Sequence, residues 1–232
     1  MNLTRAVIKS KKLILGTAFL GAALFSIFLL ILAKNQKTYM MEADYLIWAV
    51  LFCFILTNND EIELIRVTEK SIYQVVKANI SSILGIAFIS EFIIRFGVYL
   101  MDPAGLPITT FLKGFLSYVI TLLFYSGIAV FCRMVWKNQY ISLTSVMFMY
   151  VCQYILHIAI GSAYIVKLQN TGAGGMNNIL YNILRLLDAN IFSFWNQWTD
   201  IWWQNRACFL LMGVAFMLCG LRYTQKHDIS IK

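Results

Sequence analysis

The sequence predicts an all-α integral membrane protein with six transmembrane helices and both termini in the cytoplasm. Three observations predict it. Of 232 residues, 60% are apolar and 13% charged, where a soluble domain of this size is nearer half apolar and a quarter charged. The mean hydropathy is +0.71. The apolar residues also come in blocks of roughly 20, the helical length that crosses about 30 Å of hydrocarbon. Disordered, collagen-like and disulfide-scaffold classes fail on the same composition.

The expected spans follow in order. Residues 13–33 carry no charge. Their basic start (Arg5, Lys9, Lys11, Lys12) would suit a signal peptide, but 21 charge-free residues exceed the usual signal core of about 7–15, and no small-x-small site follows. This block reads as a retained first span. The second, 40–57, has Glu42 and Asp44 at one end. The third, 80–101, carries Glu91 and Arg95. The fourth, 111–132, has Lys113 near its start, and the fifth, 140–166, holds Gln153 and His157. The sixth, 201–221, has Arg206 in its first turns.

Charge sets the orientation. The formal net charge is +8, but the basic residues are scattered between apolar blocks, which disfavours nucleic-acid binding. With the N-terminus inside, twelve Lys and Arg fall in inner segments and six in outer ones. Basic residues resist translocation, so this distribution puts both termini in the cytoplasm. The five cysteines (Cys53, Cys132, Cys152, Cys208, Cys219) form no CxxC pair. Neither a disulfide framework nor a zinc site is indicated, and they read as membrane-buried small hydrophobes.

Two connecting segments are more elaborate than turns. After the second span comes Asn58-Asn59-Asp60-Glu61-Ile62-Glu63-Leu64-Ile65-Arg66-Val67-Thr68. Asn58, Asn59 or Asp60 can cap a helix whose first-turn acids suit the dipole. Ile62, Leu64, Ile65 and Val67 give it an apolar side, and Thr68 or Ser71 offers a second helix start leading into the third span. A helix lying in the headgroup region to close the loop is the plainer reading. Between spans five and six, Gly172-Ala173-Gly174-Gly175 precedes Ile179, Leu180, Ile183, Leu184, Leu187 and Ile191 at helical spacing, then Trp195, Trp198, Trp202 and Trp203. An outer helical segment over about 176–200 follows, re-entrant or interfacial. Its tryptophans suit the aromatic belt, and a lid over an exit path is the functional alternative.

This arrangement resembles the ABC-2 permeases, the membrane subunits of type V ABC exporters. At residue level the resemblance rests on Glu61-Ile62-Glu63-Leu64-Ile65-Arg66-Val67-Thr68, where family members carry a Glu-Leu-Leu-like coupling helix that docks on the ATPase. The family often has Gly-Thr before that motif and Pro after it; here those places hold Asp60-Glu61-Ile62 and Glu69. The resemblance implies that Glu63, Leu64 and Ile65, flanked by Glu61 and Arg66, contact a separate ABC ATPase. It also implies a second permease chain, as homodimer or sister subunit, in a bacterial cytoplasmic membrane. The compact size is similar to permeases that export bacteriocins, lantibiotics or other membrane-active peptides, or confer immunity to them. The sequence has no GxxxxGK[ST], so ATP-Mg is expected on the partner and no cofactor on this chain.

Polar residues inside spans are costly and need a reason. Glu91 and Arg95 are four apart and share a helix face. From residue 80, Glu91 lies about 16 Å in, near the bilayer centre. A self-neutralising structural pair and a polar patch on a transport path both remain open. Gln153 and His157 also share a face, and a helix–helix hydrogen bond is the ordinary role for such a histidine. Metal binding is not expected, the other histidine being His227 near the C-terminus.

Other classes fare worse. An intramembrane protease using Glu-Glu-x-x-x-Arg and paired histidines does not fit the spacing of Asp60-Glu61 to Arg66, nor a lone intramembrane His157. Cys152 is five residues before His157, which turns the two apart on a helix. A non-catalytic immunity or accessory protein that needs no ATPase is the remaining alternative. The expectation is a non-enzymatic permease subunit moving an amphipathic peptide or other hydrophobic cargo.

Overall fold

A computed structural model describes residues 11–24, 45–55, 72–101, 108–169, 179–189 and 201–228. Among them the chain is all helix and turn. The helices are α1 (residues 11–24), α2 (Tyr45–Ile55), α3 (Ile72–Met101), α4 (Ile108–Trp136), α5 (Gln139–Gln169), α6 (Ile179–Leu186) and α7 (Trp202–Asp228). Four carry stretches long and apolar enough to cross a membrane: Tyr73–Ile94, Phe111–Trp136, Gln139–Ile160 and Trp202–Lys226. α1 and α2 overlap the first two expected spans and are described over part of them. The expected coupling helix, 60–67, lies outside the described residues.

The four long helices outrun the spans read from hydropathy, α3 and α7 furthest at one end. α3 starts at Ile72 rather than near residue 80, because Val75, Val76, Asn79, Ile80 and Ile83 continue one buried face through its first turns. α7 runs to Asp228 rather than 221. Gly220 does not stop it, and no Pro or Gly follows before residue 228.

α4 is the central helix. In its most apolar stretch 72% is buried, against 22% for α5 and for α7. Tyr118, Leu122, Tyr125, Ala129 and Val130 are fully enclosed; α2, α3, α5 and α7 pack against α4, and Leu15 and Ala18 of α1 belong to the same apolar cluster. Between membrane-spanning helices lipid is as apolar as these side chains, so the cluster contributes through close van der Waals fit rather than through removal of area from water.

α4 and α5 are joined by a two-residue turn. The Lys137 N–H donates to the Arg133 carbonyl at 3.0 Å, with Lys137 left-handed at φ 54°, so Lys137 closes α4 as a left-handed C-cap. Asn138 Oδ1 then accepts from the Tyr140 N–H at 2.8 Å, capping α5. Nearby, Ser142 Oγ donates to the Ala129 carbonyl at 2.8 Å and lies 3.3 Å from Cys53 Sγ, tying α2, α4 and α5 together. The far end is set by aromatic contacts: Phe92, Phe96 and Tyr99 of α3 meet Phe111 of α4 in edge-on and tilted pairs at 5.1–6.4 Å. α3 therefore begins at the turn end and finishes at the far end.

α4 and α7 run parallel, along a seam of heptad-like spacing. Trp202 and Arg206 meet Ser117 and Thr121, and Phe209 meets Phe124 edge-to-face at 4.8 Å. Gly213 sits on the backbone of Leu123 and Phe124, and Gly220 on that of Phe131. A Cβ on Gly127 would overlap the Gly213 carbonyl oxygen. The seam grades from polar at the far end, through aromatic, to glycine at the turn end. Steps of three and four on both helices are what knobs-into-holes packing requires, and small residues let membrane helices approach closely.

Candidate functional site

At the far end, polar side chains from α4, α5 and α7 converge around the end of α6. This short helix has one strongly apolar side. Its last turn tightens, with the Leu187 N–H shared between the Ile183 and Leu184 carbonyls at 3.2 and 3.1 Å. Several carbonyls here have no intrahelical donor, as at every helix C-terminus.

α7 supplies the donors. Asn205 Nδ2 lies 3.0, 3.0 and 2.9 Å from the carbonyl oxygens of Arg185, Leu186 and Asp188. Arg206 Nη2 donates to the Ala189 carbonyl at 2.8 Å and its Nε to Asn205 Oδ1 at 2.9 Å. Its Nη1 reaches across to α4, donating to Thr121 Oγ1 at 3.0 Å. Asn205 and Arg206 are both buried. A cation beside helix C-terminal carbonyls is favoured by the dipole, and the guanidinium's fixed fork of donors suits several acceptors at once.

α5 grips the same segment from the other side. Gln153 Oε1 accepts from the Ala189 N–H at 2.9 Å. His157 Nδ1 lies 2.7 Å from Asp188 Oδ2, with Asp188 fully buried. Residues 188–189 are thereby held by α5 through two side chains one turn apart, and by α7 through two consecutive ones. In a low-dielectric setting each such bond is strong and each broken one expensive.

Several sequence-derived expectations meet this geometry. Gln153 and His157 do share a face, and both bind the segment after α6. Cys152 is exposed and His157 buried, which separates them as their spacing implied. Trp202 departs from the belt reading. It is buried, donates Nε1–H to Ser117 Oγ at 3.1 Å, and carries Lys113 Nζ 5.8 Å above its ring. Its residence in the α4–α7 seam, one helical turn before Arg206, is the physical reason. Trp203 is 64% exposed and retains a surface position; Trp195 and Trp198 lie outside the described residues.

Glu91 is fully buried on α3 and accepts a hydrogen bond from Trp48 Nε1 on α2 at 3.1 Å. The side chain of Arg95 is outside the described residues, as are Glu61, Glu63, Leu64, Ile65 and Arg66. The residues that sequence reasoning passed over are Asp188, Asn205 and Trp48. Arg206 reads from sequence only as a charge in the first turns of the sixth span. An Asn-Arg pair in the first turns of an apolar helix was the available signal, since both side chains are expensive there unless matched.

The hub is built to hold backbone. Its donors end on the carbonyls of Ser117, Arg185, Leu186, Asp188 and Ala189, and its effect is to seat the α6 segment on the helix bundle. Among the described residues no group of three or more His, Cys, Asp or Glu gathers as a metal site would require. Comparison of the chain with protein-family models, with curated proteins and with solved structures finds no match.

Proposed function

We propose that this chain is the permease subunit of an ABC-2 type exporter in a bacterial cell membrane. On this reading six spans cross the membrane with both termini in the cytoplasm, and two permease chains form the pathway. A separate ATPase, bearing ATP-Mg, docks on Glu61–Arg66. The cargo is an amphipathic peptide or other hydrophobic molecule.

The observation that carries the reading is the placement of α6. The segment between α5 and α7 does not simply connect them but folds into an apolar-faced helix pinned to one end of the bundle. That is the kind of outer element the permease resemblance implies. The distribution of charge agrees: Lys77, Lys137, Arg222 and Lys226 are exposed at the turn end, whereas at the far end Lys113 is exposed and Arg185 and Arg206 are buried. With those two arginines bound inside the protein, the excess of exposed basic residues favours a cytoplasmic turn end.

The test is purification of the native protein in mild detergent with mass spectrometry of its partners, beside a Leu64→Asp, Ile65→Asp double variant that still inserts. A stoichiometric ABC ATPase with the wild type and not with the variant is the expected result. An intact complex lacking any ATPase in both samples overturns the permease reading in favour of an accessory or immunity protein.

A further inference from the structure

Among the described side chains, the turn end carries positive charge with none of opposite sign around it. Lys77 on α3, Lys137 in the α4–α5 turn, and Arg222 and Lys226 on α7 are all exposed. None of these four makes an ion pair among the described residues. The acidic side chains the structure describes, Glu91 and Asp188, are both buried elsewhere. Arg133 is turned inward, with Nη1 donating to the Lys137 carbonyl at 2.9 Å.

The turn also lies where the apolar surface stops. The apolar stretch of α4 ends at Trp136, that of α5 begins at Gln139, and that of α7 ends at Lys226. The levels agree independently: Gly220 packs on Phe131, and Lys226 and Lys137 each lie six residues further on, about 9 Å at 1.5 Å per residue. Trp136 is 51% and Tyr140 64% exposed, flanking Lys137 and Asn138. Aromatic rings with a polar edge collect at the level of lipid headgroups, and a lysine beside them extends its ammonium to the phosphates.

Lys137 adds a backbone argument. Its φ of 54° is a conformation glycine adopts without cost and a lysine does not. A side chain kept in an unfavourable backbone region points to a role for that side chain.

We propose that the α4–α5 turn and its basic rim form a docking surface for anionic phospholipid headgroups. Lys137 is the central charge, Trp136 and Tyr140 form the shelf beside it, and Lys226 lies at the same depth. The proposal rests on insertion in a membrane and not on the transport reading, since a lipid site would serve an exporter or an accessory protein alike.

The test reconstitutes the full chain in nanodiscs of phosphatidylcholine, with or without phosphatidylglycerol, and measures thermal stability and lipid retained in native mass spectrometry. Phosphatidylglycerol is expected to stabilise the wild type and to be retained preferentially. Lys137→Gly relieves the left-handed backbone, so its stability in phosphatidylcholine should equal or exceed the wild type's. Its preference for phosphatidylglycerol should fall about fivefold, the effect of one basic residue near an anionic surface. Lys226→Gln should reduce the preference in the same direction, and Lys113→Gln, at the far end, should not. A wild type indifferent to phosphatidylglycerol, or a Lys137→Gly variant with undiminished preference, overturns the proposal. Inorganic phosphate reproducing the stabilisation would also overturn it, by making this a general anion site.

Discussion

His157 Nδ1 and Asp188 Oδ2 are 2.7 Å apart, joining α5 to the segment after α6 across 31 residues of sequence. The pair is buried and reinforced one turn away by Gln153 on the Ala189 N–H. His157→Ala removes that partner from an enclosed carboxylate, and a cost of about 1–3 kcal/mol is expected. Asp188→Asn should cost less, because an amide still offers hydrogen bonds. The check is a double-mutant cycle on thermal stability in detergent, in which the double variant should be less destabilised than the two single effects added together.

Arg206 is expected to resist even conservative replacement. Lysine offers a point charge but not a planar fork, so Arg206→Lys cannot hold Asn205, Thr121 and Ala189 together. About 2 kcal/mol or more should be lost, on the scale of hydrogen bonds made by charged groups. Asn205→Ala leaves three carbonyls of the α6 terminus short of their donor. Limited proteolysis should then cut between residues 170 and 200 faster than in the wild type, while cutting elsewhere is unchanged.

The α4–α7 seam predicts a sharp contrast among glycines. Gly127→Ala drives a methyl group into the Gly213 carbonyl, and Gly213→Ala drives one to 2.9 Å from the Phe124 backbone. Each should cost about 3 kcal/mol, since the obstacle is main chain that cannot rotate away. Gly85→Ala meets nothing within 4 Å and should be neutral or stabilising by about 0.5–1 kcal/mol through helix propensity. Unfolding titrations of the three variants in mixed detergent would decide it.

Trp48 and Glu91 give a fourth expectation. Both are fully buried and their hydrogen bond is 3.1 Å long. Trp48→Phe keeps an aromatic ring and removes the donor, so a loss of about 1–3 kcal/mol follows from the enclosed carboxylate. Glu91→Gln keeps an acceptor for the indole N–H and should cost less. Near-ultraviolet circular dichroism of Trp48→Phe separates this local change from general loosening of the fold.

Much of the architecture was legible because it depends on short-range rules. Apolar blocks of span length mark α3, α4, α5 and α7, and the 3.6-residue period of Ile179, Ile183 and Leu187 marks α6. The common face of Gln153 and His157 follows from a four-residue spacing. Helix ends were less legible. Hydropathy reports where apolar surface stops, whereas α3 and α7 continue as helix through Lys77, Arg222 and Lys226 because nothing in those turns breaks the hydrogen-bond ladder.

The sequence by itself determined the class of solvent this chain is built for, the positions of its long apolar helices, and the polar residues that needed an explanation inside them. Only the tertiary structure decided what those residues bind. It paired His157 with Asp188, turned Trp202 from the surface into the α4–α7 seam, and set Asn205 and Arg206 on the carbonyls that end α6. Composition and periodicity act within one helix, over a few residues. The partners of a buried polar group are chosen by which helices lie side by side, here α4 and α7 in parallel contact along glycine and hydroxyl positions, and that is a property of the packed chain as a whole.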